Sequence, residues 1–164
     1  TLLTLGVLSL SAITGFAAPI NTTIRTVSKD GDSGKNLGFV HFQDTQYGLL
    51  ITPHLHDLPP GLHGFHIHVK PSCANEGLAA QGHLDPKKQN KHFGPYQSNS
   101  HLGDLPTLFV NKEGKATLPL LAPRLKVKMI KQHALMIHSG GDNYSDTPLP
   151  LGGGGSRFAC GVIK

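Results

Sequence analysis

The 164-residue chain has almost no helical periodicity, and it has no run of basic residues interleaved with aromatic ones. Its formal net charge of +5 is modest, and the lysines are scattered along the chain. We therefore expect no nucleic-acid partner. The basic excess suits a small anionic substrate, although charge alone does not establish one. Beyond residue 17 no apolar run approaches membrane length, and we find neither an internal repeat nor a second domain.

The start of the chain has the pattern of a secretory signal peptide. Residues 1–17 carry no charge, and the apolar stretch from Leu2 to Leu10 is too short to span a bilayer. Gly15-Phe16-Ala17 offers small residues where a signal peptidase reads, so we expect cleavage after Ala17. Because a basic start is missing, we expect a signal peptide truncated at its front, followed by one domain over residues 18–164. The alternative is a buried N-terminal helix or strand.

Short alternating or β-branched runs recur along the rest of the chain and predict strands. They lie at Thr22–Val27, Leu37–Phe42, Gly48–Pro53, Gly64–Val69, Leu108–Val110, Ala116–Leu118, Ala134–His138 and Phe158–Ile163. Turn signals separate them, and the 20 Gly and 12 Pro are spread throughout. This pattern favours an all-β fold, an antiparallel sandwich or barrel. One short helical turn is expected between Leu121 and Lys131.

Two segments are too long for hairpin connections, namely Lys70 to about Leu105 and Ser139 to Gly155. Loops of this length inside a compact domain are usually functional or disordered. The only two cysteines, Cys73 and Cys160, favour one disulfide in an exported chain. It would close a loop of 87 residues, worth roughly 4–5 kcal/mol in the chain-entropy model. Two buried free thiols are the alternative.

Two groups of histidines have the spacing of a metal site. His66 and His68 share a strand face because they lie two residues apart, and His138 belongs to a distant strand. Such a nitrogen-rich group suits copper(II). The second group offers three imidazoles, each nine residues apart, and one carboxylate in the first long loop: His83, His92, His101 and Asp104. It suits four-coordinate zinc. Spacing alone does not say which metals bind, or whether the site is catalytic.

Five motifs rich in glycine and histidine follow one another along the chain. They are Gly61-Leu62-His63-Gly64-Phe65-His66-Ile67-His68, Gly82-His83-Leu84-Asp85-Pro86, His92-Phe93-Gly94-Pro95, His101-Leu102-Gly103-Asp104-Leu105 and Gly155-Ser156-Arg157-Phe158-Ala159-Cys160-Gly161-Val162-Ile163. The ordered set resembles that of copper,zinc superoxide dismutases and covers nearly all of residues 18–164. Ala79-Ala80-Gln81-Gly82-His83 and Gly140-Gly141-Asp142-Asn143-Tyr144-Ser145-Asp146 are most similar to the bacterial periplasmic branch.

The resemblance implies a single-domain, immunoglobulin-like Greek-key β-barrel of about eight strands, with one copper and one zinc ion. Copper would be held by His66, His68, His83 and His138. Zinc would be held by His83, His92, His101 and Asp104. His83 would bridge the metals, and it would be catalytic together with Arg157, which would guard copper. Asp142 would hydrogen-bond ligands of both metals. Cys73 would form a disulfide with Cys160.

The implied enzyme is periplasmic. It disproportionates superoxide into oxygen and hydrogen peroxide by alternate reduction and reoxidation of copper. The resemblance also allows a homodimer. However, only nine residues separate Cys73 from His83, fewer than is usual in the bacterial family, so a monomer is the alternative. A metal carrier on the same fold would lack a copper ligand or the guard arginine, and an interaction sandwich with incidental histidines would lack the ordered ligand series.

Several residues keep a structural interpretation. The resemblance makes His63 structural, and the histidines that match no ligand motif are expected to be surface or structural residues: His41, His54, His56 and His133. His54 and His56 share strand spacing, so an incidental surface metal site is an alternative there. Gly152 to Gly155 lack the strand–loop–helix context of a phosphate site, and we expect them to let the loop approach the site closely.

Overall fold

A computed structural model describes residues 15–164. The predicted signal peptide, residues 1–17, lies outside the described residues except for its last three. Within the described part, no helix is long and apolar enough to cross a membrane.

Nine antiparallel strands form the fold of residues 15–164. They are β1 Ile20–Thr26, β2 Asn36–Thr45, β3 Gly48–Leu55, β4 Gly61–His63, β5 Phe65–His68, β6 Leu108–Val110, β7 Leu120–Ala122, β8 His133–His138 and β9 Arg157–Ile163. Seven of them make one sheet in the order β5-β8-β9-β1-β2-β3-β7, and β4 pairs with β6. One turn of α-helix, α1 Val127–Ile130, falls inside the segment predicted to hold it. The all-β antiparallel prediction is confirmed.

Three details of the strand prediction are wrong. Ala116–Leu118 is not a strand, because Ala116 makes only an isolated bridge to Leu55 and the next strand starts at Leu120. Pro119 between them has no N–H to donate to a ladder. The three-residue strand β4 was missed because it directly follows Pro59-Pro60, which indicates a turn. Strand β7 was missed because two of its three residues lie in the segment predicted to hold the helical turn.

Strand β5 divides its two faces between the core and the histidines. Phe65 and Ile67 are fully buried in the main hydrophobic cluster, and each large apolar side chain buried in this way contributes roughly 1.5–3 kcal/mol. His66 and His68 therefore point away from that cluster, as the alternation predicted. Because β5 pairs with β8, with Phe65 opposite Ile137, the packed core sets the position of both histidines.

A disulfide joins the first long loop to the last strand. Cys73 is bonded to Cys160, with 5.7 Å between the Cα atoms, so the predicted pairing is confirmed. Both cysteines are buried with Ala80 and Met136 in a second, smaller cluster. Cys160 also lies opposite Arg25 of β1 in the sheet. The bridge therefore ties a loop without strands to the middle of the barrel.

Removing this bridge should destabilise the fold. We expect the double variant C73S/C160S to lose about 2–5 kcal/mol of unfolding free energy, because its unfolded chain is no longer cross-linked. Urea denaturation with and without reductant measures the loss, and the double variant should be insensitive to reductant. Two free thiols found by mass spectrometry in oxidised parent protein would contradict the prediction.

Candidate metal centre

Four histidine rings from the sheet and the first long loop form one cluster, here called the first set. Its members are His66, His68, His83 and His138, and their facing ring nitrogens lie within 4.8 Å of one another. β5 supplies two of them, β8 ends at the third, and a backbone bridge from His68 to His83 holds the fourth. The β8–β9 register shifts between Ile137 and His138, and such bulges re-aim side chains next to active sites.

A second cluster, the second set, shares His83 with the first. Its members are His83, His92, His101 and Asp104. The Nδ1 atoms of the three histidines lie 3.0, 3.0 and 3.5 Å from Asp104 Oδ1, respectively. A tetrahedral ion with bonds of about 2.0–2.1 Å separates its ligand atoms by roughly 3.3 Å. The second set therefore has the size and the ligand types of a tetrahedral zinc site.

Unpartnered ring nitrogens test whether these residues fit metal ions. Buried polar atoms are normally hydrogen-bonded, yet six ring nitrogens of the two sets are buried without a well-directed hydrogen bond, and we call them unpartnered: His66 Nδ1, His68 Nε2, His83 Nε2, His92 Nδ1, His101 Nδ1 and His138 Nε2. Among the described residues only Thr22 Oγ1 shares this condition. Nδ1 of His92 and of His101 have only the ionic contact with Asp104 Oδ1 given above. Since every histidine of the two sets contributes one such atom, a cation in each set would satisfy them all.

Three of the outer ring nitrogens are hydrogen-bonded to the surrounding chain, which leaves the inner nitrogen of each of these rings free to bind. His66 Nε2 and His92 Nε2 each donate to one oxygen of Asp142, at 2.8 Å in both cases. His68 Nδ1 donates to the carbonyl of Gln81 at 2.6 Å. Such partners fix the tautomer and the orientation of a ligating imidazole. The side chain of Asp142 joins a ring of the first set to a ring of the second, as the resemblance implied.

Burial and the two carboxylates set the protonation of the sets. Burial lowers the pKa of His66 to about 3 and that of His138 to about 4, so both rings are neutral at pH 7, the state that binds a metal. Burial would raise the pKa of Asp104, but the close contacts of its carboxylate with the rings of His101, His83 and His92 hold that pKa well below the usual range. Burial likewise disfavours protonation of His92, but its close contacts with the carboxylates of Asp104 and Asp142 outweigh burial and raise the pKa to about 9. A metal ion would have to displace that proton.

Arg157 lies beside the first set. It is opposite His138 in the β8–β9 pairing, and its guanidinium donates to the carbonyls of Gly77 and Gln81. Burial lowers the pKa of Arg157 from its ordinary value, but a guanidinium stays charged at any working pH. Because the Gln81 carbonyl also accepts from His68, one backbone atom joins the arginine to the first set.

Glycines near the end of the second long loop let its backbone lie directly against the carboxylate of Asp142, near the start of the same loop. A Cβ on Gly152 would collide with Asp142 Oδ1 and lie 2.8 Å from His92 Nε2, while one on Gly154 would lie 3.1 Å from His138 Cβ. The expectation that this run of glycines allows a close approach is therefore met at these two positions.

The remaining histidines lie outside both sets. His63 contacts two carbonyls, with Nδ1 2.8 Å from that of His138 and Nε2 2.8 Å from that of Pro59, which agrees with the structural role expected. No metal-ligand cluster of the described residues includes His41, His54, His56 or His133. His54 stacks on Phe39, at 4.6 Å between ring centroids, and the incidental surface site is not supported.

Three residues around the second set were missed by sequence reasoning. Ser100 Oγ donates to Asp104 Oδ2 at 2.5 Å, and Asp146 Oδ2 accepts from the backbone N–H of His92 at 2.9 Å. Arg124 donates to four carbonyls of the first long loop. Only the closeness of Ser100 to His101 was visible in the sequence. The other two contacts join residues that are far apart along the chain.

Comparison with known proteins gives consistent matches. The family model described as copper/zinc superoxide dismutase (SODC) matches residues 36–163. The protein named superoxide dismutase (Cu-Zn) 1 from Salmonella typhimurium is 57% identical over 141 residues, 80% of each chain. That named superoxide dismutase (Cu-Zn) from Legionella pneumophila is 51% identical over 156 residues, 95% of this chain and 91% of its own.

Solved structures agree with this match. The Cu/Zn superoxide dismutase from Brucella abortus has a TM-score of 0.84 and 44% identity, with 90% of this chain and 100% of that chain covered. The monomeric copper, zinc superoxide dismutase from Salmonella enterica has a TM-score of 0.79, 51% identity and the same coverage.

The close approach at Gly152 predicts a difference between two neighbouring glycines. We expect G152A to weaken metal retention by about tenfold or more and to lower the melting temperature, because the new Cβ displaces Asp142 from its two histidines. G153A is the matched control. Gly153 has the same φ of 74°, but its added Cβ would meet only Leu149, at 3.7 Å. Thermal melts and zinc release to a chelator compare the two variants, and equal losses would show that backbone strain alone is responsible.

Proposed function

The chain belongs to the copper/zinc superoxide dismutase family, and on that premise we propose that the first set holds copper, the second set holds zinc, and His83 bridges the two ions. The chain is thus an oxidoreductase acting on superoxide. The observation that carries the assignment is the convergence of the six unpartnered ring nitrogens into two clusters that share one residue. Four imidazoles suit copper, and three imidazoles with one carboxylate suit zinc.

The reaction converts two superoxide ions and two protons into oxygen and hydrogen peroxide. Bound copper would supply the electron exchange, taking one electron from the first superoxide and returning it to the second. His83 has the two ring nitrogens that this scheme requires, since Nδ1 faces Asp104 at 3.0 Å and Nε2 is buried without a partner. Nε2 of His83 is the atom that would hold a proton between the two half-reactions, and Nδ1, held in the second set, keeps the ring in place.

Arg157 and Asp142 have separate roles in this proposal. The guanidinium of Arg157 lies next to the first set, where a fixed positive charge attracts an anionic substrate and raises its local concentration. Asp142 stays ionised, because hydrogen bonds from His66 and His92 outweigh its burial and lower its pKa. It therefore holds one ring of each set in the orientation that a ligand needs. The presence of Arg157 beside the set favours an enzyme over a metal carrier.

We place this activity in the periplasm, where it would protect against superoxide outside the cytoplasm. Residues 1–17 would act as the signal peptide, and residues 18–164 as the exported domain. The disulfide between Cys73 and Cys160 supports an oxidising compartment, and the relatives named above come from bacteria. A homodimer stays a prediction, and the Salmonella enterica relative is described as monomeric.

The two sets should respond differently to substitution of a residue that belongs to only one of them. We expect H68Q to abolish superoxide consumption while zinc stays bound, because His68 lies only in the first set. D104N should release zinc first, because Asp104 lies only in the second set. Metal analysis alongside an activity assay measures both. Equal loss of both metals in each variant would contradict the ligand assignment.

Charge at Arg157 should control the rate without controlling metal content. We expect R157E to cut the catalytic rate by about tenfold or more, with copper and zinc close to parent levels. The catalytic rate of R157K should fall much less, because lysine keeps the positive charge although it lacks the planar fork of arginine. Parent rates should fall as salt rises, since screening shortens the reach of the attraction to about 10 Å at 0.1 M. A glutamate variant as fast as the parent, with no salt dependence, would show that Arg157 does not guide the substrate.

A further inference from the structure

The guanidinium of Arg124 binds both ends of the segment that connects His92 to His101 in the second set. Arg124 Nε donates to the carbonyl of Pro95 at 2.7 Å, and Nη1 donates to that of Ser100 at 3.1 Å. Nη2 donates to the carbonyls of Gly94 at 3.3 Å and His101 at 2.6 Å. Four of the five donors of an arginine are therefore used within the segment 94–101, which begins two residues after His92 and ends on His101.

The backbone on both sides of Arg124 is held against the barrel. Two residues before it, Ala122 pairs with Leu49 of β3. After it, Lys126 Nζ donates to the carbonyl of Thr45 at 2.5 Å, and the N–H of Val127 donates to Asp44 Oδ1 at 2.7 Å. Because these contacts fix the backbone on both sides of Arg124, its guanidinium holds the loop at a fixed position relative to the β2–β3 hairpin and β7.

Two backbone N–H groups also help to close the segment 94–101, since that of His101 donates to the carbonyl of Lys91 at 2.9 Å and that of Phe93 donates to Ser100 Oγ at 2.6 Å. The segment contains turns and no strand, so no sheet ladder fixes its carbonyls. The contacts of Arg124 lie at both ends of it, at Gly94 and Pro95 and again at Ser100 and His101. A planar fork that binds both ends fixes the distance between them, which a single ammonium cannot do.

We propose that Arg124 is a positioning residue that sets the spacing of His92 and His101 and so determines how tightly the second set retains its metal. This inference rests on the proposed function of that set. Arg124 does not itself coordinate the metal. It acts through the backbone of His101 and through the segment that follows His92, and partners that orient ligands in this way typically change metal affinity by 10–100-fold.

The test compares metal release from R124M, R124K and the parent, each loaded with cobalt(II) in the second set. Cobalt reports tetrahedral geometry through its visible absorption, and a chelator in excess gives the release rate. We expect R124M to release cobalt at least tenfold faster than the parent, with an altered spectrum. The release rate of R124K should lie between those of R124M and the parent, because one ammonium replaces four directed donors only in part. R25M is the matched control, since Arg25 donates to a single carbonyl, that of Gly34, and it should release cobalt at the parent rate.

The possible outcomes separate this inference from the proposed function. Circular dichroism and an intact disulfide would show that each variant keeps the barrel. Release from R124M at the parent rate, complete rescue by lysine, or equal acceleration in R25M would each overturn the role of Arg124 while leaving the second set in place. A parent that bound no cobalt would contradict the second set itself, and the role of Arg124 with it.

Discussion

Six imidazoles buried with their unpartnered nitrogens facing one another are the constraint on which the rest of the structure depends. Polar atoms without partners destabilise a fold when no cation satisfies them, so the surrounding chain has to hold these rings in place. The barrel does this for His66, His68 and His138 through strand pairing and a packed core. The loops have no ladder of their own, and they use side chains and backbone carbonyls instead.

Backbone carbonyls of the first long loop connect the charge of Arg157 to the ligands. Gln81 accepts from both Arg157 and His68, and it does so with φ 64° and ψ −149°. That region is nearly restricted to glycine, and a non-glycine residue there costs of order 1–3 kcal/mol. The N–H of Gln81 donates to the carbonyl of Leu78 at 3.0 Å, so this strained residue lies in a hydrogen-bonded turn beside the first set.

The two sets are coupled through shared groups. His83 contributes one ring nitrogen to each set, and Asp142 binds an outer ring nitrogen from each. A displacement of either residue therefore reaches both sets. For the same reason we expect changes at Gly152, which lies against Asp142, to reach residues of both sets.

The sequence by itself determined the all-β class, the common face of His66 and His68, the grouping of candidate ligands in the first long loop and the single possible cysteine pairing. Each of these follows from local periodicity, from motif order or from there being only two cysteines. Only the tertiary structure decided that Arg124 binds both ends of the segment 94–101, that Asp146 accepts from the N–H of His92, and that the position of Gly152 has no room for a Cβ. These contacts join residues that are distant along the chain, and no local pattern records which side chain will face which carbonyl until the barrel has brought the loops together.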